Sequence, residues 1–173
     1  MTEFNHEMQG YWTKRLMECL NNPMPDTREV NDALDYINRG ALLNTALADG
    51  RTALHLVAKY ACWDRVMGHV LCECPELVNK QDHSGDTPLM KATYSLNRTA
   101  VNRLLAAKAD PQIKNNAGLT PLEYLALQIK MPALDAVAAV LEETIRQQQA
   151  SQVTAQKMML KSPLPKTKKI SFK

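Results

Sequence analysis

The sequence lacks any apolar run long enough to cross a bilayer. Its longest unbroken apolar stretch, 136–141, falls far short of the roughly 20 residues a spanning helix needs. Residues 1–10 show no basic stretch followed by an apolar core, so no secretory leader is expected. Six Gly and nine Pro are too few for collagen-like or Pro/Gly-rich low-complexity chains. What is present is a globular composition: 173 residues, 45% hydrophobic and 23% charged. Such a chain suits one domain, or one domain with a tail, rather than wholesale disorder.

Acidic residues are missing from one region altogether. Residues 150–173 hold six Lys and no Asp or Glu, so a net charge of +3 leaves the first 149 residues at −3. The basic balance therefore belongs to the tail, and a basic folded surface for nucleic acid is not implied.

Cysteine is limited to Cys19, Cys62, Cys72 and Cys74. A chain of this size builds a core without disulfides, so reduced thiols in a cytosol are expected. With His83 they give the spacing C-x9-C-x-C-x8-H for Cys62, Cys72 and Cys74, which matches no paired-ligand zinc knuckle. No metal or other cofactor is expected, and the four thiols read as small buried hydrophobes.

An internal repeat organises the rest. Three segments share a Gly-x-Thr-(Pro/Ala)-Leu core, beginning at Gly50, Gly85 and Gly118, with spacings of 35 and 33 residues. The pattern resembles the ankyrin repeat. His55 completes its T-P-L-H-like motif in the first copy, while Met90 and Glu123 stand at that place in the others. Each position has a physical reason. Gly serves a turn with positive φ. Thr caps free N–H groups at a helix start, and Pro is tolerated in the first helical turn. Leu54, Leu89 and Leu122 then begin equivalent buried stripes.

The periodicity extends from these motifs. In the first copy the second helix is expected over about 65–74, with Val66, Val70 and Leu71 inward and its extra length near 61–64. In the middle copy Met90 to Ser95 ends a first helix, and Asn97 or Thr99 starts a second with Val101, Leu104 and Leu105 inward. Lys108-Ala109 lies ten residues before Gly118, as Gly40-Ala41 does before Gly50. That spacing recovers an upstream unit: Trp12, Leu16 and Leu20 on one helix, Val30, Ala33, Leu34 and Ile37 on the next, with 22–25 as the break. After the last motif, Pro132 opens a longer helix whose stripe is Leu134, Val137, Leu141 and Ile145, the pattern of a capping helix.

The fold expected is an all-α ankyrin-repeat solenoid of about four helix pairs with short hairpin loops and a flexible C-terminal tail. Its domain is 1–149, with an atypical N-cap at 10–45 and repeats at about 46–81, 82–114 and 115–149. Residues 150–173 are expected as a basic, disordered tail, although Val153 and Leu160 loosely continue the Leu141/Ile145 stripe, so that helix can persist toward Leu160. A helix pair cannot bury its apolar face alone, so at least three units are needed.

No nucleophile elbow, Walker-type loop or His-Glu-x-x-His motif is found. None of the His residues has a carboxylate or thiol at a recognisable catalytic spacing, and no catalytic residue is assigned. By the resemblance, His55 is expected to hydrogen-bond within its turn region. The resemblance also implies a non-catalytic adaptor that binds another protein along a groove of hairpin tips and first helices. It carries over to Arg51, Lys59 and Tyr60, to His83, Asp86 and Tyr94, and to Asn116, Leu119 and Gln128. Ala48, Asp49, Ser84, Ser95, Ala117 and Leu127 flank these. Tyr60 and Tyr94 are the leading hot-spot candidates, being aromatic with a polar tip.

In the tail, Ser162-Pro163-Leu164-Pro165 ends any helix, and Lys166, Lys168 and Lys169 are candidate signal residues for nuclear import, membrane contact or secretion. One form of the adaptor reading is a bacterial effector delivered to a host cytosol or nucleus. The alternative is a nuclear or nucleic-acid-associated regulator using the Lys tail, though nucleic acid is the less favoured partner. A cytoplasmic monomer without a transmembrane segment is expected.

Overall fold

The computed structural model describes residues 2–127 and 132–161. Eight α-helices run in order over the described residues. They are α1 (Thr2–Leu20), α2 (Thr27–Asn38), α3 (Ala53–Lys59), α4 (Asp64–Glu73), α5 (Pro88–Tyr94), α6 (Arg98–Ala106), α7 (Pro121–Leu127) and α8 (Pro132–Lys161). They pair as α1/α2, α3/α4, α5/α6 and α7/α8. First helices pack in one layer, α1 on α3, α3 on α5 and α5 on α7, and second helices in another, α2 on α4, α4 on α6 and α6 on α8. The four-unit stack read from the sequence is thus the observed architecture.

Helix starts follow the local chemistry of the caps. Asp26 opens α2 with a capping box: its carboxylate accepts from Glu29 N at 2.8 Å and Glu29 accepts from Asp26 N at 3.0 Å. Thr87 accepts from Met90 N, and Asn97 accepts from Ala100 N. Thr120 and Glu123 cap one another's backbone N–H at 3.2 and 2.8 Å. Lower turns repeat as faithfully. Gly40 and Lys108 both take a left-handed φ, 91° and 68°, after their helices. The next residues, Ala41 and Ala109, donate to Tyr36 O and Leu104 O. These are two copies of one helix-ending motif, one of them with Lys where Gly is favoured.

The core is a continuous seam between the layers. Leu16, Leu20, Leu54, Val66, Val70, Leu89, Val101, Leu104, Val137 and Leu141 are buried in it. Trp63 is its largest member, fully buried in the short 3-10 turn Ala61–Trp63 that joins α3 to α4, with its indole N–H on Asn22 O. The two extra residues of the first repeat therefore bring a core side chain.

Two expectations are corrected. Leu122 is only half-buried, unlike Leu54 and Leu89. Its helix α7 packs on α5, and no further first helix among the described residues covers its other side. The thiols are not core residues either: Cys62 and Cys72 are exposed, and Cys19 and Cys74 half-buried. Cys62 stands in the inter-helix turn, and Cys72 on the solvent side of α4, whose buried face is Val66, Met67 and Val70. The helix α8 crosses 149–150 without a break and continues to Lys161, the direction in which Val153 and Leu160 extend its sequence stripe. No Pro or Gly interrupts its sequence after Pro132, so nothing local stops the helix there. Residues 162–173, including Lys166, Lys168 and Lys169, lie outside the described residues. No described helix is long and apolar enough to cross a membrane.

Candidate functional site

The hairpin tips are tied to one another by backbone hydrogen bonds in a repeated register. His83 N donates to Asp49 O at 2.9 Å, and one unit later Asn116 N donates to Ser84 O at 3.0 Å. The Asn116 amide adds a bond to His83 O at 2.9 Å, and Gln81 reaches Lys114 O at 3.0 Å. The glycines make this approach feasible. Gly50 and Gly85 have φ of 81° and 75°, and a Cβ on Gly85 would lie 2.6 Å from Asn116 N. Gly118 has φ 76° with nothing within 4 Å of such a Cβ, because the row ends there.

Behind the tips, His55 joins two units. Its Nδ1 accepts from Thr52 N at 3.2 Å and lies 2.9 Å from Thr52 Oγ1. The ring proton therefore sits on Nε2, which donates to Asp86 O at 3.0 Å. Burial depresses the imidazole's proton affinity, and the Lys91 charge adds to this against the opposing Asp86 carbonyl and Asp82 carboxylate. The ring is a neutral structural strut, as the resemblance implied, and no acid or base role is built around it.

Asp86 is turned inward, which corrects its expected place as a partner contact. It is buried, and its Oδ2 accepts from Lys91 Nζ at 2.7 Å. Its Oδ1 accepts from Tyr94 OH and from Asn115 Nδ2, each at 2.9 Å. Lys91 also meets Asp82 at 2.8 Å. Burial pushes the Asp82 carboxyl up, but the Lys91 bond and the Asp86 and Ser84 N–H groups outweigh it and hold it below the usual carboxylate value. Lys91 itself, disfavoured by burial, is raised by its two carboxylates. Tyr94 is half-buried in this network, its ring centroid 3.8 Å from that of Tyr124. Burial and the Asp86 hydrogen bond push its hydroxyl's pKa up, so it is a phenol that donates to the carboxylate and not a free polar tip. Asp82, Lys91, Asn115 and Tyr124 are the residues that sequence reasoning missed. Their signal was the position of Asp82 and Asn115, each three residues before a repeat Gly, with Asx-turn bonds back onto the hairpin.

The remaining expected residues fall in two places. Arg51, half-buried and paired with Asp49 at 2.6 Å, stands on the tip row with His83, Asn116 and Leu119. Leu127 on α7 is 71% exposed. Lys59 and Tyr60 lie instead at the end of α3, with the Lys59 ammonium 5.0 Å over the Tyr60 ring, and they line a cleft with the α5–α6 turn. Tyr60 lines that cleft, whereas the Tyr94 hydroxyl is engaged by Asp86 at the hairpin base. Gln128 lies outside the described residues. Among the described residues no group of three or more His, Cys, Asp or Glu could hold a metal ion.

The sequence is similar to known proteins. The family model for ankyrin repeats (three copies) matches residues 16–115. An ankyrin repeat protein of Fowlpox virus (strain NVSL) is 37% identical over 93 residues, half of this chain, and the chain spans 27% of that relative's length. With the hairpin register, the capped helix pairs and a family match over more than half the sequence, the chain belongs to the ankyrin repeat family.

Proposed function

We propose that the protein is a non-catalytic adaptor that binds a partner protein along its hairpin tips and first helices. One observation carries this reading. The three hairpins are zipped into one row by backbone hydrogen bonds, with Arg51, His83, Asn116 and Leu119 on the hairpins and Leu127 exposed on the first helix α7 that follows them, which supports reading them as one binding strip. The strip is preorganised by the Asp82–Lys91–Asp86 network beneath it, so binding need not pay to order a loop. Ankyrin repeats in general serve protein–protein interaction, which agrees with this use.

Affinity capture with the full chain, beside an Arg51→Ala/Leu127→Ala variant, tests it. Both side chains are outside the buried network, so the melting midpoint is expected to stay within a few degrees. Partner recovery is expected to fall about tenfold or more, the scale of a lost hot spot. Equal recovery by the two proteins would overturn the assignment.

A further inference from the structure

Where the first-helix layer turns into the second-helix layer, a cleft of about 620 Å³ opens between the α3–α4 turn and the α5–α6 turn. Its lining includes Lys59, Arg98, Tyr60, Ser95, Thr99 and Leu96, and no acidic residue among the described residues lines it. Among the described residues neither cation is paired with a carboxylate: Asp64, the nearest acid in sequence after Tyr60, is taken by Arg103 at 2.6 Å. Across the α1–α2 turn that reaches the cleft at Pro23, Glu29 is bound by Asn22 and by Asp26 N. The cleft is thus a local positive site on a folded region whose sequence, 1–149, totals −3.

Two of its residues are poor choices for the fold alone. Arg98 is the first residue of α6, which has no acidic side chain in its first turn. A cation at that end opposes the helix dipole. Leu96 holds a left-handed φ of 54°, a conformation that Gly or Asn adopts more readily. It is held there by Asn97, whose buried side chain reaches Ala58 O at 3.1 Å across the repeat. The turn therefore places an apolar side chain and a cation at one cleft, at some expense to local stability.

We infer that this cleft docks an acidic segment of the partner protein, a Glu or Asp carboxylate bridging Lys59 and Arg98 with an adjacent apolar side chain against Leu96. Charge complementarity selects the occupant: two cations with no carboxylate partner among the described residues, Lys59 resting only on the Tyr60 ring, favour a carboxylate, and the hydroxyl-bearing Ser95 and Thr99 can donate to its remaining lone pairs. The chain's own tail, 150–173, carries only positive charge and is excluded as occupant. The inference rests on the protein-binding reading, but it uses a different surface from the tip row.

The test is an amide chemical-shift titration of the full chain with a capped pentapeptide of alternating glutamate and leucine. A peptide with lysine for glutamate, and inorganic phosphate, are the parallel probes. Shifts are expected at residues 59–62 and 95–99, with a tenfold or greater loss of affinity in Lys59→Ala/Arg98→Ala and in high salt. No shift at millimolar peptide, equal binding of the lysine peptide, undiminished affinity in the variant, or response to phosphate alone would each overturn the inference. The Arg51→Ala/Leu127→Ala variant is expected to bind the acidic peptide normally, so failure here is separable from failure of the tip-row assignment.

Discussion

The His55 ring stays neutral because it is buried between the helix it opens and the hairpin base of the next unit. The unfolded chain has no such burial, and its imidazole titrates near 6.5. As pH falls below that value the unfolded state takes up a proton that the folded state refuses. The native state therefore loses stability from about pH 6.5 downward to the lower folded-state pKa, with a slope of at most about 1.4 kcal/mol per pH unit. Asp82 behaves in the same direction in a separate window, below its ordinary 3.8, because its folded pKa is the lower one. Urea melts between pH 5 and 8 are expected to show the His55 slope, and His55→Gln is expected to lose it; a slope that survives in His55→Gln would contradict the strut assignment. His55 could be singled out by sequence because its motif position is specific. Trp63 was not, and Asn97 was marked only as a helix start, since burial of an indole or a cross-repeat bond of an amide depends on which units become neighbours. Asp86 was misplaced because the hairpin position alone cannot say whether a carboxylate faces a partner or an internal lysine.

At the scale of the hairpin, glycine does two separable things, and the three copies isolate them. Gly85 needs both a left-handed φ and room for Asn116, whereas Gly118 needs only the φ. Gly118→Ala is expected to cost about 1–2 kcal/mol, the strain of a left-handed residue with a Cβ. Gly85→Ala adds a contact of 2.6 Å to a backbone nitrogen, so the Asn116–Ser84 bond must stretch or break. Its loss is expected to exceed that of Gly118→Ala by about 1 kcal/mol or more. Denaturation midpoints of the two variants measured together check this, and equal losses would contradict hairpin-to-hairpin contact. The helix starts at the three Gly-x-Thr motifs and the turns before them were readable because caps, Pro and Gly act locally; the first helix was expected only from Tyr11, whereas α1 starts at Thr2, where the sequence carries no such signal. The extent of α8 was legible in part: composition changes at 150, but Val153 and Leu160 continue the helical stripe and Pro163 follows just beyond Lys161.

The molecule as a whole is a short row of like units, stable only through the faces they share. Its register was legible because a spacing of 35 and 33 residues repeats a physical unit, and only the end effects escaped it. Leu122 and Gly118 resemble their counterparts in sequence yet sit at the end of their rows, where no neighbour among the described residues closes over them. The same row geometry makes the tips a preorganised strip, and that strip as a partner-binding face is the central claim. Hydrogen–deuterium exchange of the full chain, alone and with its captured partner, addresses it most directly. The account predicts new protection at residues 48–51, 83–86 and 116–119, with the outer helices α2, α4 and α6 unchanged. Protection confined to those outer helices, with the tips exchanging as in the free protein, would contradict it.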